Sequence, residues 1–122
     1  MENLNGQLLA FIGDAQMELL VRRRLVAHGG KLGELNKEAD ALVSAKAQVV
    51  ALEKLLPVFT DEEMAVFKRG KNIHTNSVPK SVTQLQYRKA TGLEAVFGYL
   101  CLKNDNERME ELIDLAYFSS LQ

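Results

Sequence analysis

Two acidic residues, Asp14 and Glu94, each follow a glycine inside an apolar stretch of the sequence. Gly13 directly precedes Asp14, and Gly92 lies two residues before Glu94, with Gly98 further along. A glycine inside a helix costs about 1 kcal/mol relative to alanine, so these glycines need a compensating role. Close packing of two helix backbones is the simplest such role, and it would place Asp14 beside Glu94. The small residues available for this packing are Ala10, Gly13, Gly92, Ala95 and Gly98.

Paired carboxylates in a partly buried cleft repel each other and raise each other's pKa unless a hard divalent cation lies between them. Mg²⁺ prefers oxygen ligands, keeps several waters, and commonly uses one or two protein carboxylates together with a substrate phosphate. A cation held in this way polarises a phosphodiester and activates water. Spacing alone leaves open the commoner structural role, in which Asp14 and Glu94 are buried polar groups satisfied by helix ends or by Arg22 or Arg88.

The basic residues are concentrated in two segments that contain no Asp or Glu, although the net charge is only -1. Residues 64–93 form the longer segment, and residues 19–33 form the shorter one with Arg22, Arg23, Arg24 and Lys31. This asymmetry favours a basic surface that faces phosphates, with ordinary solvated charge on helices as the alternative. Residues 70–80 combine Gly, Pro and polar residues and predict a basic functional loop. Within it, His74 is expected to form hydrogen bonds rather than act as a general base.

The composition fits one compact domain over residues 1–122, since 47% of the residues are hydrophobic and 25% are charged. Cys101 is the single cysteine, so an intrachain disulfide or a multi-thiolate zinc site cannot form, which favours a reducing compartment. The sequence begins Met1-Glu2-Asn3 without a basic region, and it has no run of about eighteen apolar residues. We therefore expect a cytoplasmic protein that is not bound to a membrane.

Apolar residues at helical spacing predict an all-α fold with no strand. The first helix is expected over about 7–27 and ends at Gly29-Gly30; about 32–56 forms one helix or two. Capping boxes predict the starts of the next two helices, at Thr60 with Glu63 and at Ser81 with Gln84, and these helices end at about 69 and 102. The last helix is expected to start at Asn104 with Glu107, and its core residues are predicted to be Met109, Leu112, Ile113, Ala116 and Tyr117.

Several segments, taken together and in order, resemble ribonuclease III. Residues 9–15, LAFIGDA, are similar to the signature helix of that family, and residues 91–100, TGLEAVFGYL, are similar to its second metal-binding helix. Residues 35–52, with VSAK at 43–46, resemble the intervening helices. RGKN at 69–72, VPK at 78–80 and YRKAT at 87–91 resemble the Mini-ribonuclease III branch, which lacks a double-stranded RNA-binding domain. The resemblance covers nearly the whole chain.

The resemblance implies a magnesium-dependent endoribonuclease that hydrolyses double-stranded RNA with staggered cuts and leaves 5′-phosphate ends, with Asp14 and Glu94 as catalytic metal ligands. Mn²⁺ is expected to substitute for Mg²⁺. The implied substrate is the 23S ribosomal RNA precursor, with a ribosomal protein as a possible helper. The implied assembly is a homodimer in which the signature helices pair, with Phe11, Ile12 and Met17 as candidate interface residues. We expect the acid-free segment to contact the RNA backbone through Arg69, Lys71, Asn72, Lys80 and Arg88.

The sequence departs from the wider family at two positions, because Ala10 and Thr91 stand where ribonuclease III usually has further acids. The number of cations that protein atoms alone can hold is therefore left open. Glu18 lies one helical turn after Asp14, where it either joins the cluster through water or pairs with Arg22 on the surface. Two other functions remain open: a catalytically idle RNA-binding or ribosome-assembly module, and a helical protein-interaction domain.

Overall fold

The computed structural model describes residues 5–73, 78–80 and 82–119. They form six α-helices: α1 (Gly6–His28), α2 (Leu32–Val43), α3 (Ala45–Leu55), α4 (Asp61–Lys71), α5 (Gln84–Leu102) and α6 (Asn106–Ile113). A 3₁₀ turn, Leu56–Val58, follows α3, and a π-helical turn, Asp114–Phe118, follows α6. None of these residues forms a strand, so the predicted all-α class is confirmed. No helix in the described ranges is both long and apolar enough to cross a bilayer.

The central element of the fold is α5, which contacts α1, α3, α4 and α6. Most of its residues from Ala90 to Leu100 are buried, as expected for a helix that is surrounded by neighbours on several sides. The two contacts with α1 and α4 are the most extensive. Because Glu94 lies in the middle of this buried helix, its carboxylate has protein on most sides.

The stretch 32–56 forms two helices because Ser44 has extended backbone angles and interrupts the helical path. The Ser44 hydroxyl accepts a hydrogen bond from the Ala47 N–H at 3.2 Å, which caps the start of α3. The sharp turn at this residue separates α2 from α3 and leaves their junction open toward α5. This junction forms one wall of the candidate site.

Two predicted helix starts were wrong, and both errors were short shifts. The α5 capping box is formed by Thr83 and Gln86, whose side chains each bond the other's backbone N–H at 3.0 Å. Ser81, the residue predicted to cap this helix, lies outside the described residues. The cap of α6 is Asp105, which accepts from the Arg108 N–H at 3.2 Å, because Asn104 adopts a left-handed backbone with φ of 60°. The capping box at Thr60 and Glu63 is confirmed.

The helices α1 and α5 are in direct backbone contact at two glycines. A Cβ added at Gly13 would overlap the carbonyl oxygen of Glu94, and one added at Gly98 would overlap the carbonyl oxygen of Leu9. The predicted close approach of the two helices is therefore present. Gly92 has a different neighbour from the one expected, since its open side faces Phe67 of α4.

Replacing Gly13 with alanine is expected to lower the free energy of unfolding by about 3 kcal/mol or more, because the new methyl group meets backbone that cannot rotate away. Urea unfolding at a fixed protein concentration measures the change. The matched control is Gly33→Ala in α2, where nothing lies within 4 Å of the added Cβ. That control is expected to raise stability by roughly 0.5–1 kcal/mol. Equal stabilities for the two variants would contradict the backbone contact.

Candidate active site

Asp14 and Glu94 lie side by side across the contact between α1 and α5. Asp14 is on the exposed side of α1, whereas Glu94 is partly buried in α5. Burial raises the pKa of Glu94 to about 8, with the nearby Asp14 charge as the next cause and Glu18 as a smaller one. The Asp14 carboxylate is close enough to share a hydrogen bond with Glu94, which also raises the pKa of Glu94. The pair predicted from the sequence therefore exists as a pair in space.

No basic side chain neutralises this pair within the described ranges, where the ion pairs involve other carboxylates. Arg88, one candidate partner, instead donates through Nε to the Lys71 carbonyl at 2.8 Å and ties α5 to the end of α4. Arg22, the other candidate, is exposed. The structural alternative, in which basic residues satisfy both carboxylates, is not present among the residues that the structure describes. When both carboxylates are ionised, like charges are left close together, which is the arrangement that a cation would relieve.

The pair fits a hard divalent cation because its donor atoms are all oxygens and no basic side chain among the described residues neutralises it. The described residues contain no cluster of three acidic, histidine or cysteine side chains arranged to hold a metal. Two carboxylates match the pattern of magnesium sites in which waters and substrate phosphates complete the coordination. Glu18 lies close enough to raise the pKa of Glu94, and no ion pair joins it to Arg22 in the described part of the chain. Its position favours an indirect contribution to the pair.

Glu94 lines an open pocket of about 450 Å³ between the α2–α3 junction and the first half of α5. Lys46 is exposed at the first turn of α3 on one wall, and Thr91 lies one turn before Glu94 on the other. The other lining residues are Val43, Ser44, Ala45, Gln48, Pro79, Val82, Tyr87 and Ala90. The pocket therefore gives a solvent-accessible path to a partly buried carboxylate, with a cationic side chain at its edge.

The basic residues predicted to contact RNA lie at the end of α4, beside Pro79 and on α5. Arg69 and Lys80 are exposed, Asn72 is the exposed C-cap of α4, and Lys71 and Arg88 are half-buried. Lys80 follows Pro79, which lines the pocket. Arg88 has one structural hydrogen bond already, so its guanidinium is held in place. His74 lies outside the described residues.

The three residues proposed for a subunit interface have different environments on α1. Phe11 is 79% exposed and Ile12 is half-buried, so both are accessible on an apolar surface that also contains Leu8 and Leu19. Met17 is 1% exposed and belongs to the core of its own chain. The assignment of Met17 to an interface is therefore corrected, because its side chain is already covered by intrachain packing.

Residues 7–105 match the Ribonuclease III domain. The chain belongs to the ribonuclease III family. Mini-ribonuclease 3 from Brevibacillus brevis is 42% identical over 114 residues, which span 93% of this chain and 85% of that protein. Mini-ribonuclease 3 from Enterococcus faecalis is 40% identical over 116 residues, spanning 93% of this chain and 88% of that one. Membership of the ribonuclease III family makes the chain an endoribonuclease.

A solved structure has the same fold as this ribonuclease III family member. The crystal structure of a protein from Fusobacterium nucleatum superposes with a TM-score of 0.83 at 36% sequence identity. The match covers 92% of this chain and 90% of that one. The helical arrangement that brings Asp14 to Glu94 is thus shared with a relative of known structure.

Sequence reasoning missed three residues of the candidate site in this ribonuclease III family member: Gln48, Tyr117 as a neighbour of Glu94, and Lys46. Gln48 is 3% exposed and hydrogen-bonds Glu94, and the charge of Glu94 acts on the Tyr117 hydroxyl. A signal for Gln48 was present, since it shares helical register with Ala51, Leu52 and Leu55 on the apolar face of α3. A polar residue in that register is buried and must have a polar partner.

Proposed function

We propose that this ribonuclease III family member is a magnesium-dependent enzyme that hydrolyses both strands of double-stranded RNA with staggered cuts and leaves 5′-phosphate ends. The observation that supports this proposal is the pair Asp14 and Glu94, which no basic side chain of the described residues neutralises and whose Glu94 member lines an open pocket. Asp14 and Glu94 would hold the cation, with Mn²⁺ as a substitute for Mg²⁺. When bound, the cation would supply the Lewis acidity that activates water and stabilises charge on the phosphodiester.

The two carboxylates have unequal roles in this proposal. Asp14 is exposed, so its carboxylate oxygens are accessible to a cation arriving from solvent. Glu94 is partly buried and holds a proton up to about pH 8, so a cation held by both carboxylates would have to displace this proton. Cation binding is therefore expected to strengthen as pH rises toward 8.

RNA would be held through its phosphates and overall shape, since the major groove of an A-form duplex is too deep and narrow for side chains to read. The positive residues near the pocket are suited to this task, and Asn72 adds a neutral donor. The proposed contacts are Arg69, Lys71, Asn72, Lys80 and Arg88, together with Lys46 at the pocket edge.

Charge reversal of Lys46 is expected to weaken binding of duplex RNA roughly tenfold and to lower the slope of log affinity against log salt by about one, because one phosphate contact is lost. Fluorescence anisotropy in Ca²⁺ at several salt concentrations measures both changes. Lys54→Glu is the matched control, an exposed lysine in the last turn of the same helix. The helix dipole favours an acid at position 46 more than at 54, so misfolding would affect the control first. Equal salt slopes for both variants and the wild type would contradict the proposed contact.

We further propose a homodimer in which the exposed apolar side of α1, centred on Phe11 with Ile12, faces its symmetry mate. Phe11 is 79% exposed, which is costly for a large aromatic side chain in water. A two-fold dimer presents two equivalent sites to two antiparallel strands, which accounts for staggered cuts. Sedimentation equilibrium at several protein concentrations tests this assembly directly.

The natural substrate that we propose is a 23S ribosomal RNA precursor, cut in the cytoplasm with a ribosomal protein as a possible helper. Residues 1–122 would act as one catalytic domain that binds and cuts through the same surface. The thiol of Cys101 is free, consistent with a reducing compartment. Support for the RNA class comes from the family and the basic residues near the pocket.

Cleavage of end-labelled duplex RNA by the purified protein, with Mg²⁺ or with EDTA, tests the proposed function. Magnesium-dependent cuts offset between the strands are the expected result. Binding of duplex RNA in Ca²⁺ without any cutting in Mg²⁺ would favour the idle RNA-binding module. Absence of both binding and cutting would favour a protein-interaction domain.

A further inference from the structure

Gln48 joins the α2–α3 junction to the carboxylate of Glu94. Its Nε2 donates to the Val43 carbonyl oxygen at 3.0 Å and lies 3.4 Å from Oε2 of Glu94. The side chain is 3% exposed and lies on the face of α3 that otherwise packs apolar residues into the core. One amide group therefore connects the end of α2 to the middle of α5.

The neighbours of Gln48 determine which way its amide points. Val43 offers a carbonyl oxygen, which can only accept a hydrogen bond, so the NH₂ group must face it. The reversed amide would place Oε1 against this carbonyl oxygen and leave Nε2 without the Val43 acceptor. The donor side of Gln48 is therefore directed at Glu94 by a bond that does not depend on the protonation of Glu94.

Some buried polar atoms near Glu94 have no hydrogen-bond partner. In the ranges that the structure describes, the buried side-chain atoms without a hydrogen-bond partner are Oε1 of Gln48 and the hydroxyl of Tyr117. Both belong to side chains that interact with Glu94. Tyr117 lies in the π-helical turn after α6, and such turns are rare and frequent at functional sites. Apolar side chains in place of Gln48 and Tyr117 would leave no buried polar atom without a partner. The presence of polar side chains here therefore indicates that they interact with Glu94 for a functional reason and not only to fill the core.

We propose that Gln48 is a positioning residue that holds the Glu94 carboxylate in the orientation in which it shares a cation with Asp14. With both carboxylates ionised, as a shared cation requires, repulsion from Asp14 favours turning Glu94 away, and the Gln48 donor opposes that movement by binding Oε2. The Val43 carbonyl in turn fixes the Gln48 amide, so the α2–α3 junction sets the position of a side chain on α5. This inference depends on the proposed metal-binding role of Asp14 and Glu94.

The test is Gln48→Met, which keeps the length of the side chain and removes both amide bonds. Electron paramagnetic resonance of free Mn²⁺ measures the Mn²⁺ affinity of the folded, RNA-free protein at pH 8. We expect the Mn²⁺ dissociation constant to rise about tenfold, as is typical when a residue that orients a metal ligand is removed. The Mg²⁺ concentration that half-saturates RNA cleavage should rise by a similar factor, with kcat largely restored at saturating Mg²⁺ and KM for RNA unchanged.

The matched control is Leu52→Ala, which lies one turn further along the same buried face of α3. It should lower stability while leaving the Mn²⁺ dissociation constant of the folded protein unchanged. If wild-type protein binds Mn²⁺ and Gln48→Met binds it within about twofold of the wild-type value, the positioning role is overturned and the proposed function stands. If wild type fails to bind Mn²⁺, or if Asp14→Asn binds it as tightly as wild type, the proposed metal site itself is overturned.

A second measurement uses the wild-type protein and does not depend on the folding of Gln48→Met. In ¹⁵N-labelled protein, the assigned side-chain amide signals of Gln48 should shift on titration with Mg²⁺, while those of half-buried Gln86 should stay unchanged. The Gln86 side chain accepts a hydrogen bond from the Thr83 N–H at the start of α5 and serves as the internal reference. If Mg²⁺ shifts the backbone amide signals of Asp14 and Glu94 but leaves the side-chain amide signals of Gln48 unchanged, the inference is overturned.

Discussion

Replacing Glu94 with glutamine is expected to lower the rate of magnesium-dependent cleavage of duplex RNA by about a thousandfold, comparable to the loss of one preorganised electrostatic group. The amide keeps the size of the side chain and removes the charge that faces Asp14. The loss should appear in kcat under single-turnover conditions, whereas the affinity for RNA in Ca²⁺ should change little. Asp14→Asn should have a similar effect.

The double variant Asp14→Asn with Glu94→Gln should be little worse than either single variant, because the two residues act as one unit. Glu53→Gln serves as the matched control, since Glu53 is an exposed carboxylate on α3. It should cleave at the wild-type rate. Cleavage by Glu94→Gln within tenfold of wild type would contradict the assignment of Glu94 as a metal ligand.

Metal-free protein is expected to lose stability as pH rises from about 5 to about 9, by an amount on the order of 3 kcal/mol that comes from Glu94. Burial, with the Asp14 charge as the next cause, raises the pKa of Glu94 from 4.5 to about 8 in the folded state. Between these values the folded chain holds a proton that the unfolded chain has released. The stabilisation is complete below about pH 4.5 and is lost as pH rises through about 8.

Urea unfolding of wild type and Glu94→Gln is measured in EDTA at one protein concentration and at several pH values. The difference between their free energies of unfolding gives the contribution of Glu94. Glu94→Gln should lack this pH-dependent loss and should be the more stable protein at pH 9, although it is inactive. Added Mg²⁺ should raise the free energy of unfolding of the wild-type protein at high pH, and it should raise that of Glu94→Gln much less. Parallel stability curves for the two proteins would show that Glu94 ionises normally in the fold.

Most helix positions could be predicted from the sequence because apolar periodicity and capping residues are local signals. The start of α5 was displaced because Ser81 and Thr83 each have a glutamine three residues later, and tertiary contacts decide between two overlapping patterns. The sequence does not decide whether residues 32–56 form one helix or two, for a similar reason. Serine is compatible with a helix interior or with a cap, and the packing of α2 on α1 favours the cap.

The pairing of Asp14 with Glu94 could be predicted because the glycines beside them violate local preference, and such a violation indicates a tertiary cause. The role of Gln48 could not be predicted, because its partners lie on two other helices. Its position in the helical repeat shows that it is buried but does not identify these partners. The resemblance made Met17 a candidate for the subunit interface, with the core of its own chain as the alternative, and the structure places it in the core. Periodicity cannot separate a face that meets the core from one that meets solvent.

The distance between α1 and α5 is set by main-chain atoms at Gly13 and Gly98, with no side chain between the two helices at these points. Elsewhere in the core, leucine, valine and methionine side chains fill the space between helices and can be exchanged for one another at small cost. Such exchanges leave the backbone contact unchanged. Core side chains can therefore be exchanged without altering the spacing of Asp14 and Glu94, so the geometry of the site and the packing of the core are separately constrained.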